Sequence, residues 1–276
     1  MTAPGNALWF FRVLVAFVRR DLLEAARYRA AFLTRFFGFV LAALSLYFFS
    51  RFVATTPNAH LAPYGGDYLS FGLCGIIAAQ LQQIGITTLA QRVRMAQLMG
   101  FLEAQLSTPA PAWIVVGAQP VSELGASFVR AVLYVAGAAV FLDVTFRPNW
   151  STLALGVPLA LLTFGGIGLL GAAATMVTRR SNPVGALLGG ASALLSGVVY
   201  PVSVLPGWLA RAGRWLPLTH GLEILRKGLL AGASPAQVSD SLLALAGFAA
   251  VSFGAGIVLF AWALKRARCD GSLSHF

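Results

Sequence analysis

Long apolar runs separated by short polar connections make up most of this chain. Six of the runs are long enough, at about 20 residues each, to cross the roughly 30 Å hydrocarbon layer of a membrane as helices. They cover about residues 31–52, 67–91, 115–142, 151–177, 184–200 and 241–264. The pattern predicts an all-α integral membrane protein with six transmembrane helices. We expect a single domain over residues 1–276, with the six-span bundle over 31–264.

Residues 7–29 carry too much charge to cross a membrane. One face of a helix over this segment holds apolar residues, namely Phe11, Leu14, Val18, Leu22 and Ala25. Another face holds charged residues, namely Arg12, Arg19, Arg20, Glu24 and Arg27, with Asp21 outside the pattern. This predicts an N-terminal amphipathic interfacial helix suited to an anionic cytoplasmic leaflet. It is either a membrane-surface anchor, which amphipathicity alone favours, or a platform for a cytoplasmic partner.

Three prolines interrupt the chain between the fifth and sixth apolar runs. Pro201, Pro206 and Pro217 each remove a backbone donor, so a straight helix is not expected here. Broken backbone at membrane depth persists only where protein covers it or where it faces water. We therefore predict a re-entrant helical hairpin before the last span, with Trp208 and Trp215 at the membrane interface, where indoles are favoured.

Composition and charge agree with a membrane protein and give its orientation. The chain is 58% hydrophobic and 11% charged, whereas soluble domains carry roughly 25% charged residues. Thirteen of its twenty Lys and Arg residues lie in regions that six spans place on one side, namely Arg12, Arg19, Arg20, Arg27, Arg29, Arg35, Arg92, Arg94, Arg179, Arg180, Lys265, Arg266 and Arg268. By the positive-inside rule both termini are cytoplasmic, and the net charge of +11 needs no nucleic-acid partner.

Two groups of polar residues fall inside predicted spans. Gln80, Gln82 and Gln83 lie near the middle of span 2, where their amides need partners from neighbouring helices, water or substrate. Glu123 and Arg130 of span 3 share a face but are separated by a rise of about 10 Å, which favours a link through a third group or water. Each of these residues is either structural or part of a functional site.

The inner connection over residues 92–113 contains a short predicted helix between Gly100 and Pro109. Its single charge, Glu103, stands among the apolar residues Phe101, Leu102 and Leu106. A loop facing only water does not need these side chains, so the pattern predicts a contact surface for another protein.

The chain lacks the motifs of common catalytic sites. No phosphate-binding glycine loop fits either of its lysines, and its histidines and two cysteines lack metal-ligand spacing. We expect no catalytic residue, no metal site and no cofactor here. A partner is therefore expected to supply the energy.

The ordered set of segments resembles the membrane subunit of ABC-2-type exporters, whose bacterial members include drug, lipid and polysaccharide permeases. Residues 20–33 resemble the amphipathic connecting helix of that family, and 103–109 with Gly117 resemble its coupling loop. Residues 200–208 and 216–226 resemble its signature before the last span. The resemblance covers essentially the whole chain.

The resemblance implies a half-transporter that pairs with a second copy and with two cytoplasmic ATPase subunits, which bind ATP and Mg²⁺. The residues implied to couple to the ATPase are Phe101, Leu102, Glu103, Gln105, Leu106, Ser107, Thr108 and Pro109. The connecting helix, with Arg19, Arg20, Asp21 and Arg27, is implied to lie against the same subunit. The hairpin becomes an extracytoplasmic outer gate, with an inert cap as the alternative.

The expected function is export of a hydrophobic or amphipathic substrate, such as a drug, lipid or lipid-linked glycan, across the inner or plasma membrane. The alternative is a self-contained channel or an ion-coupled secondary transporter. A carrier of that kind needs coupling carboxylates at mid-membrane, for which the off-centre Glu123 is the candidate.

Overall fold

The computed structural model describes residues 15, 19, 29–53, 61, 64, 67–98, 131–140, 144–178 and 183–269. Its helices are α1 (Arg29–Val53), α2 (Tyr68–Leu98), α3 (Ala131–Val140), α4 (Trp150–Thr178), α5 (Pro183–Leu195), α6 (Gly207–Gly213), α7 (Pro217–Leu230) and α8 (Ser239–Cys269). Short 3₁₀ turns cover Val202–Val204 and Pro235–Val238. The described residues contain no strand, so the predicted all-α class is confirmed for this part of the chain.

Three stretches among the described residues are long and apolar enough to cross a membrane: Tyr68–Leu98, Trp150–Thr178 and Pro235–Ala267. They correspond to the second, fourth and sixth predicted spans. Shorter apolar helical stretches cover Val40–Phe52, Ala131–Val140 and Gly185–Leu195, within the other three. The count of six spans stays a prediction.

Helix α4 lies between α2 and α8 and forms the core of the bundle with them. Close approach of the helices depends on glycines: a Cβ on Gly85 of α2 would lie 2.6 Å from the Cβ of Phe164 on α4. A Cβ on Gly166 of α4 would lie 2.5 Å from the backbone nitrogen of Phe253 on α8. Small residues let apolar helices approach closely in a membrane, where packing drives their association.

Helices α2, α4 and α8 run in the same direction. Their C-terminal parts share one apolar cluster, formed by Leu89, Ala90, Val93, Ala172, Ala173, Met176, Phe260, Ala263 and Ala267. The amide of Gln97 on α2 also donates to the carbonyl of Met176 on α4 at 3.3 Å. The basic residues near this end include Arg92, Arg94, Lys265 and Arg266. The proline-broken segment and α7 lie at the opposite end of the bundle.

Candidate functional site at the proline-broken segment

The chain between α5 and α7 is a series of short elements and not one continuous helix. Pro201 precedes the first 3₁₀ turn, Pro206 is the residue before α6, and Pro217 is the first residue of α7. A proline at the first helical position costs no hydrogen bond, because that backbone nitrogen has no partner within the helix. The prolines therefore mark the starts of elements. The re-entrant course of this segment through a membrane stays a prediction.

Helix α6 is held at the bundle surface by contacts at its C-terminal end. Gly213 lies against the carbonyl of Leu195, the last residue of α5. The hydroxyl of Thr219 on α7 donates to the carbonyl of Gly213 at 2.6 Å. The side chains of Trp208 and Trp215 are 64% and 79% exposed. Both indoles therefore face the surroundings of the bundle and not its core.

Arg226 of α7 is buried, with 3% of its surface exposed. Its guanidinium donates three hydrogen bonds to backbone carbonyls: to Gly197 at 2.8 Å, to Val198 at 2.7 Å and to Phe71 at 3.2 Å. The first two acceptors follow the end of α5, and the third belongs to the first turn of α2. We call Arg226 and these three carbonyls the arginine junction.

Aromatic and glycine residues shape the surroundings of the junction. The guanidinium carbon of Arg226 lies 3.4 Å from the centre of the Phe71 ring, where cation–π attraction offsets part of the cost of burial. Gly197 has a φ of 75°, which a residue without Cβ adopts most easily. A Cβ on Gly75 would collide with the carbonyl of Val198. The local backbone is thus arranged so that α2 and the end of α5 meet around one cation.

A second polar group lies beside the junction on α7. Lys227 forms a 2.7 Å ion pair with Glu223, and the hydroxyl of Tyr64 donates a 2.7 Å hydrogen bond to the other oxygen of that carboxylate. Burial, with the nearby Glu223 charge, raises the pKa of Tyr64 above its ordinary value. Tyr64 therefore stays a neutral donor that ties the connection after α1 to α7.

The C-terminal end of α7 is bound to the connection that precedes α4. The backbone nitrogen of Arg147 donates to the carbonyl of Leu229 at 2.9 Å, and that of Asn149 donates to Gly228 at 2.8 Å. The buried hydroxyl of Thr152 donates to the carbonyl of Ala233, just beyond α7, at 2.7 Å. The bonds to Gly228 and Leu229 satisfy carbonyls that the end of a helix leaves open. Helix α7 is therefore fixed along its middle and at its end.

The polar residues predicted within span 2 have different surroundings. Gln82 is buried, and its amide donates a 2.8 Å hydrogen bond to the hydroxyl of Ser192 on α5. Gln80 is half-buried, whereas Gln83 is exposed on the side where Gly189 of α5 approaches. Of the three possible partners named from the sequence, namely a neighbouring helix, water and substrate, Gln82 has the first.

Several predicted site residues lie outside the described residues, and their roles stay predictions. They are Arg20, Asp21, Arg27, Phe101, Leu102, Glu103, Gln105, Leu106, Ser107, Thr108, Pro109, Glu123 and Arg130. Arg19 is described as an exposed helical residue.

The burial of Arg226 was not predicted from the sequence, in which this residue falls at the end of the 216–226 segment that resembles the family signature. One signal was present in the sequence. Leu222 and Leu229 stand four residues before and three residues after Arg226, which puts Arg226 on the apolar stripe of α7.

A family model described as ABC-2 type transporter matches residues 12–230, a range that ends with the last residue of α7. No curated protein matches the chain. The matched range covers most of the 276 residues and includes both the predicted coupling loop and the proline-broken segment. The chain therefore belongs to the ABC-2 type transporter family.

Proposed function

We propose that this chain is the membrane-spanning permease subunit of an ATP-driven ABC exporter. It forms the export pathway with a second copy of itself, and two cytoplasmic ATPase subunits drive it. The observation that carries this proposal is the family match over residues 12–230. The three long apolar helices and their shared direction support it, because a permease needs a bundle that crosses the membrane.

The charge distribution along the sequence supports an orientation with both termini in the cytoplasm, because thirteen of the twenty Lys and Arg residues lie in the predicted inner regions. The members of this set near the shared C-terminal end of α2, α4 and α8 include Arg92, Arg94, Lys265 and Arg266. Arg211, Arg214, Arg226 and Lys227 lie at the other end, so the placement of the cytoplasmic end, in the inner or plasma membrane, follows the resemblance to ABC-2-type exporters and not the charge count of the described residues. The proline-broken segment then lies at the extracytoplasmic end, where a re-entrant hairpin forms the outer gate.

The work is divided between this chain and its ATPase partners. The loop over residues 101–109 docks on the ATPase, and the connecting helix with Arg19, Arg20, Asp21 and Arg27 lies against the same subunit. The ATPase subunits bind ATP and Mg²⁺, whereas this chain contributes no catalytic residue, metal site or cofactor of its own. ATP-driven closure of the two ATPase subunits pushes on the 101–109 loop and moves the spans that line the pathway.

The substrate is hydrophobic or amphipathic, such as a drug, a lipid or a lipid-linked glycan. The exposed aromatic side chains of α1, namely Phe37, Phe48, Phe49 and Phe52, are compatible with a substrate that reaches the pathway from the lipid phase. A channel or an ion-coupled carrier is the competing function, and it would require no ATPase subunit.

Copurification tests the proposal. The affinity-tagged chain is expressed together with any ATPase that is encoded beside it and is purified in mild detergent. We expect a stable complex that holds an ATPase with a nucleotide-binding glycine loop in equal number to the permease chains. A chain that purifies alone and moves substrate under an ion gradient would instead identify the carrier.

A further inference from the structure

We propose that the arginine junction fastens α7 to α2 and to the end of α5 throughout the transport cycle. The part of the proline-broken segment that moves is then α6 and the residues around it, between Val199, whose carbonyl accepts a hydrogen bond from the Tyr68 hydroxyl of α2, and the buried Leu216. This inference rests on the proposed exporter function and identifies which part of its outer gate moves. Arg226 acts as a positioning residue, because it holds the fixed side of the gate in place.

The first reason is the cost of taking the junction apart. Arg226 is 3% exposed, and all three of its hydrogen bonds end on backbone carbonyls. Such charge-assisted bonds are roughly twice as strong as bonds between neutral groups. Separating α7 from α2 and α5 would leave a buried cation without partners, which is far more costly than breaking surface contacts.

The second reason is that α7 has other attachments of the same kind. Its C-terminal end accepts hydrogen bonds from the backbone nitrogens of Arg147 and Asn149. Its first turn is buried against the bundle, with Leu218 fully buried beside Phe164 of α4. A helix held in this way at its start, middle and end is suited to remain fixed while its neighbours move.

Helix α6, unlike α7, has no buried cation among its residues and is not attached to the bundle along its length. Among the residues of Gly207–Gly213, the buried one is Gly213, at its last position. The side chain of Arg211 bonds to the carbonyl of Gly207 within α6 itself, and Trp208 is exposed. Contact of α6 with the bundle is concentrated at its C-terminal end. Helix α6 can therefore swing about its C-terminal end without exposing a buried charge.

Cys74 is a natural reporter of the α2–α7 contact. It lies on α2, is 1% exposed and packs with Leu229 and Leu230 at the end of α7. If α7 leaves α2, Cys74 loses this cover and becomes open to small thiol reagents. The chain has two cysteines, so Cys269→Ser leaves Cys74 as its single thiol.

The experiment measures the rate at which N-ethylmaleimide labels Cys74 in membranes that contain the Cys269→Ser chain. We expect slow labelling in this parent and a rise of about tenfold or more in Arg226→Met, the factor that corresponds to roughly 1.4 kcal/mol of lost local stability. Loss of the Arg226 charge would by itself slow the reaction of the Cys74 thiol with the reagent, because a nearby cation favours the reactive thiolate. A faster reaction in Arg226→Met therefore reports greater exposure of Cys74. Arg226→Lys keeps the charge but not the planar fork, and should fall between the two.

Two further variants separate the junction from general effects on folding. Gly75→Ala disturbs the same junction from α2, because its Cβ would collide with the carbonyl of Val198, and it should also speed labelling. Arg211→Met removes an exposed arginine of α6 and should leave the rate unchanged. Labelling of Cys74 that stays slow in both Arg226→Met and Gly75→Ala would overturn the proposal.

The second part of the experiment adds the ATPase and nucleotide. Labelling of Cys74 should stay slow during ATP hydrolysis, whereas labelling at position 208, after Trp208→Cys in a Cys74→Ser, Cys269→Ser background, should change with nucleotide. In Arg226→Met the change at position 208 should weaken while ATP is still hydrolysed. Labelling of Cys74 that accelerates with ATP in the parent would show that α7 itself moves, which overturns the proposal. Absence of an associated ATPase would count against the exporter function and would leave the labelling without nucleotide as an independent test of the junction.

Discussion

The amide of Gln82 donates a 2.8 Å hydrogen bond to the hydroxyl of Ser192, which lies 110 residues later in the chain. Both residues are buried, at 3% and 1% exposure. Apolar surfaces of two helices can slide past one another, whereas a buried hydrogen bond fixes their relative depth. This bond therefore sets the register of α5 against α2 in the middle of the bundle.

Removal of either partner should destabilise the chain modestly. We expect Gln82→Ala and Ser192→Ala to be coupled by about 0.6 kcal/mol, and at most about 1.7 kcal/mol, the range that double-mutant cycles give for hydrogen bonds between membrane helices. The double variant should cost less than the sum of the single ones, because both single variants lose the same bond. Unfolding of the purified chain in mixed micelles measures these values. Strictly additive effects would show that the two side chains do not interact.

The contact between α4 and α8 should tolerate no side chain at Gly166. A Cβ there would lie 2.5 Å from the backbone nitrogen of Phe253, and backbone cannot move aside as a flexible side chain can. We expect Gly166→Ala to destabilise the chain by about 1–3 kcal/mol. The matched control is Gly254→Ala on α8, whose Cβ meets no atom within 4 Å. Thermal unfolding should separate the two variants, and equal midpoints would contradict the observed helix packing.

The outer gate should respond to loss of an exposed indole. Trp208 is 64% exposed on α6, so Trp208→Ala removes no core contact and should leave assembly with the ATPase intact. We expect altered turnover or substrate leak, measured as transport per ATP hydrolysed in liposomes. Trp262→Ala on α8 is a control, because Trp262 is 50% exposed near the opposite end of the bundle. Identical transport by Trp208→Ala and the parent would favour an inert cap.

The predicted coupling loop should be sensitive to charge reversal at Glu103. This carboxylate is the single charge among apolar residues of the loop, so Glu103→Arg should prevent productive contact with the ATPase. We expect substrate-stimulated ATP hydrolysis to fall about tenfold or more, which corresponds to roughly 1.4 kcal/mol of lost coupling. Expression and the unfolding midpoint should not change. Unaltered substrate-stimulated hydrolysis in this variant would remove the loop from the coupling pathway.

The positions of the helices were largely predictable from the sequence. Span 4, expected over 151–177, is the helix Trp150–Thr178, and the last of the three predicted interruptions, Pro217, begins the helix Pro217–Leu230. Apolar runs of sufficient length specify such helices directly, and Pro217 marks a start because its first position needs no backbone donor. Span 5 was expected to reach residue 200, but α5 ends at Leu195. After Leu195 the chain continues instead into a turn around Gly197, where the carbonyls of Gly197 and Val198 accept hydrogen bonds from Arg226.

The role of Arg226 could not be derived from periodicity. A helical pattern shows which face of α7 is apolar, but the acceptors of Arg226 lie 28, 29 and 155 residues away in the chain. Nothing local to α7 specifies that these carbonyls converge. The Gln82–Ser192 bond escaped prediction for the same reason, since the sequence showed that the amide needed a partner but not which residue supplied it.

Transport by the reconstituted complex tests the central proposal most directly. The chain and its neighbouring ATPase are placed in liposomes, and uptake of a fluorescent amphipathic probe is measured in vesicles whose ATPase sites face outward. We predict uptake that requires ATP, stops when the lysine of the ATPase glycine loop is replaced, and persists when ion gradients are collapsed with ionophores. Uptake that continues without ATP and disappears with the ion gradient would contradict the proposed function and identify a secondary transporter.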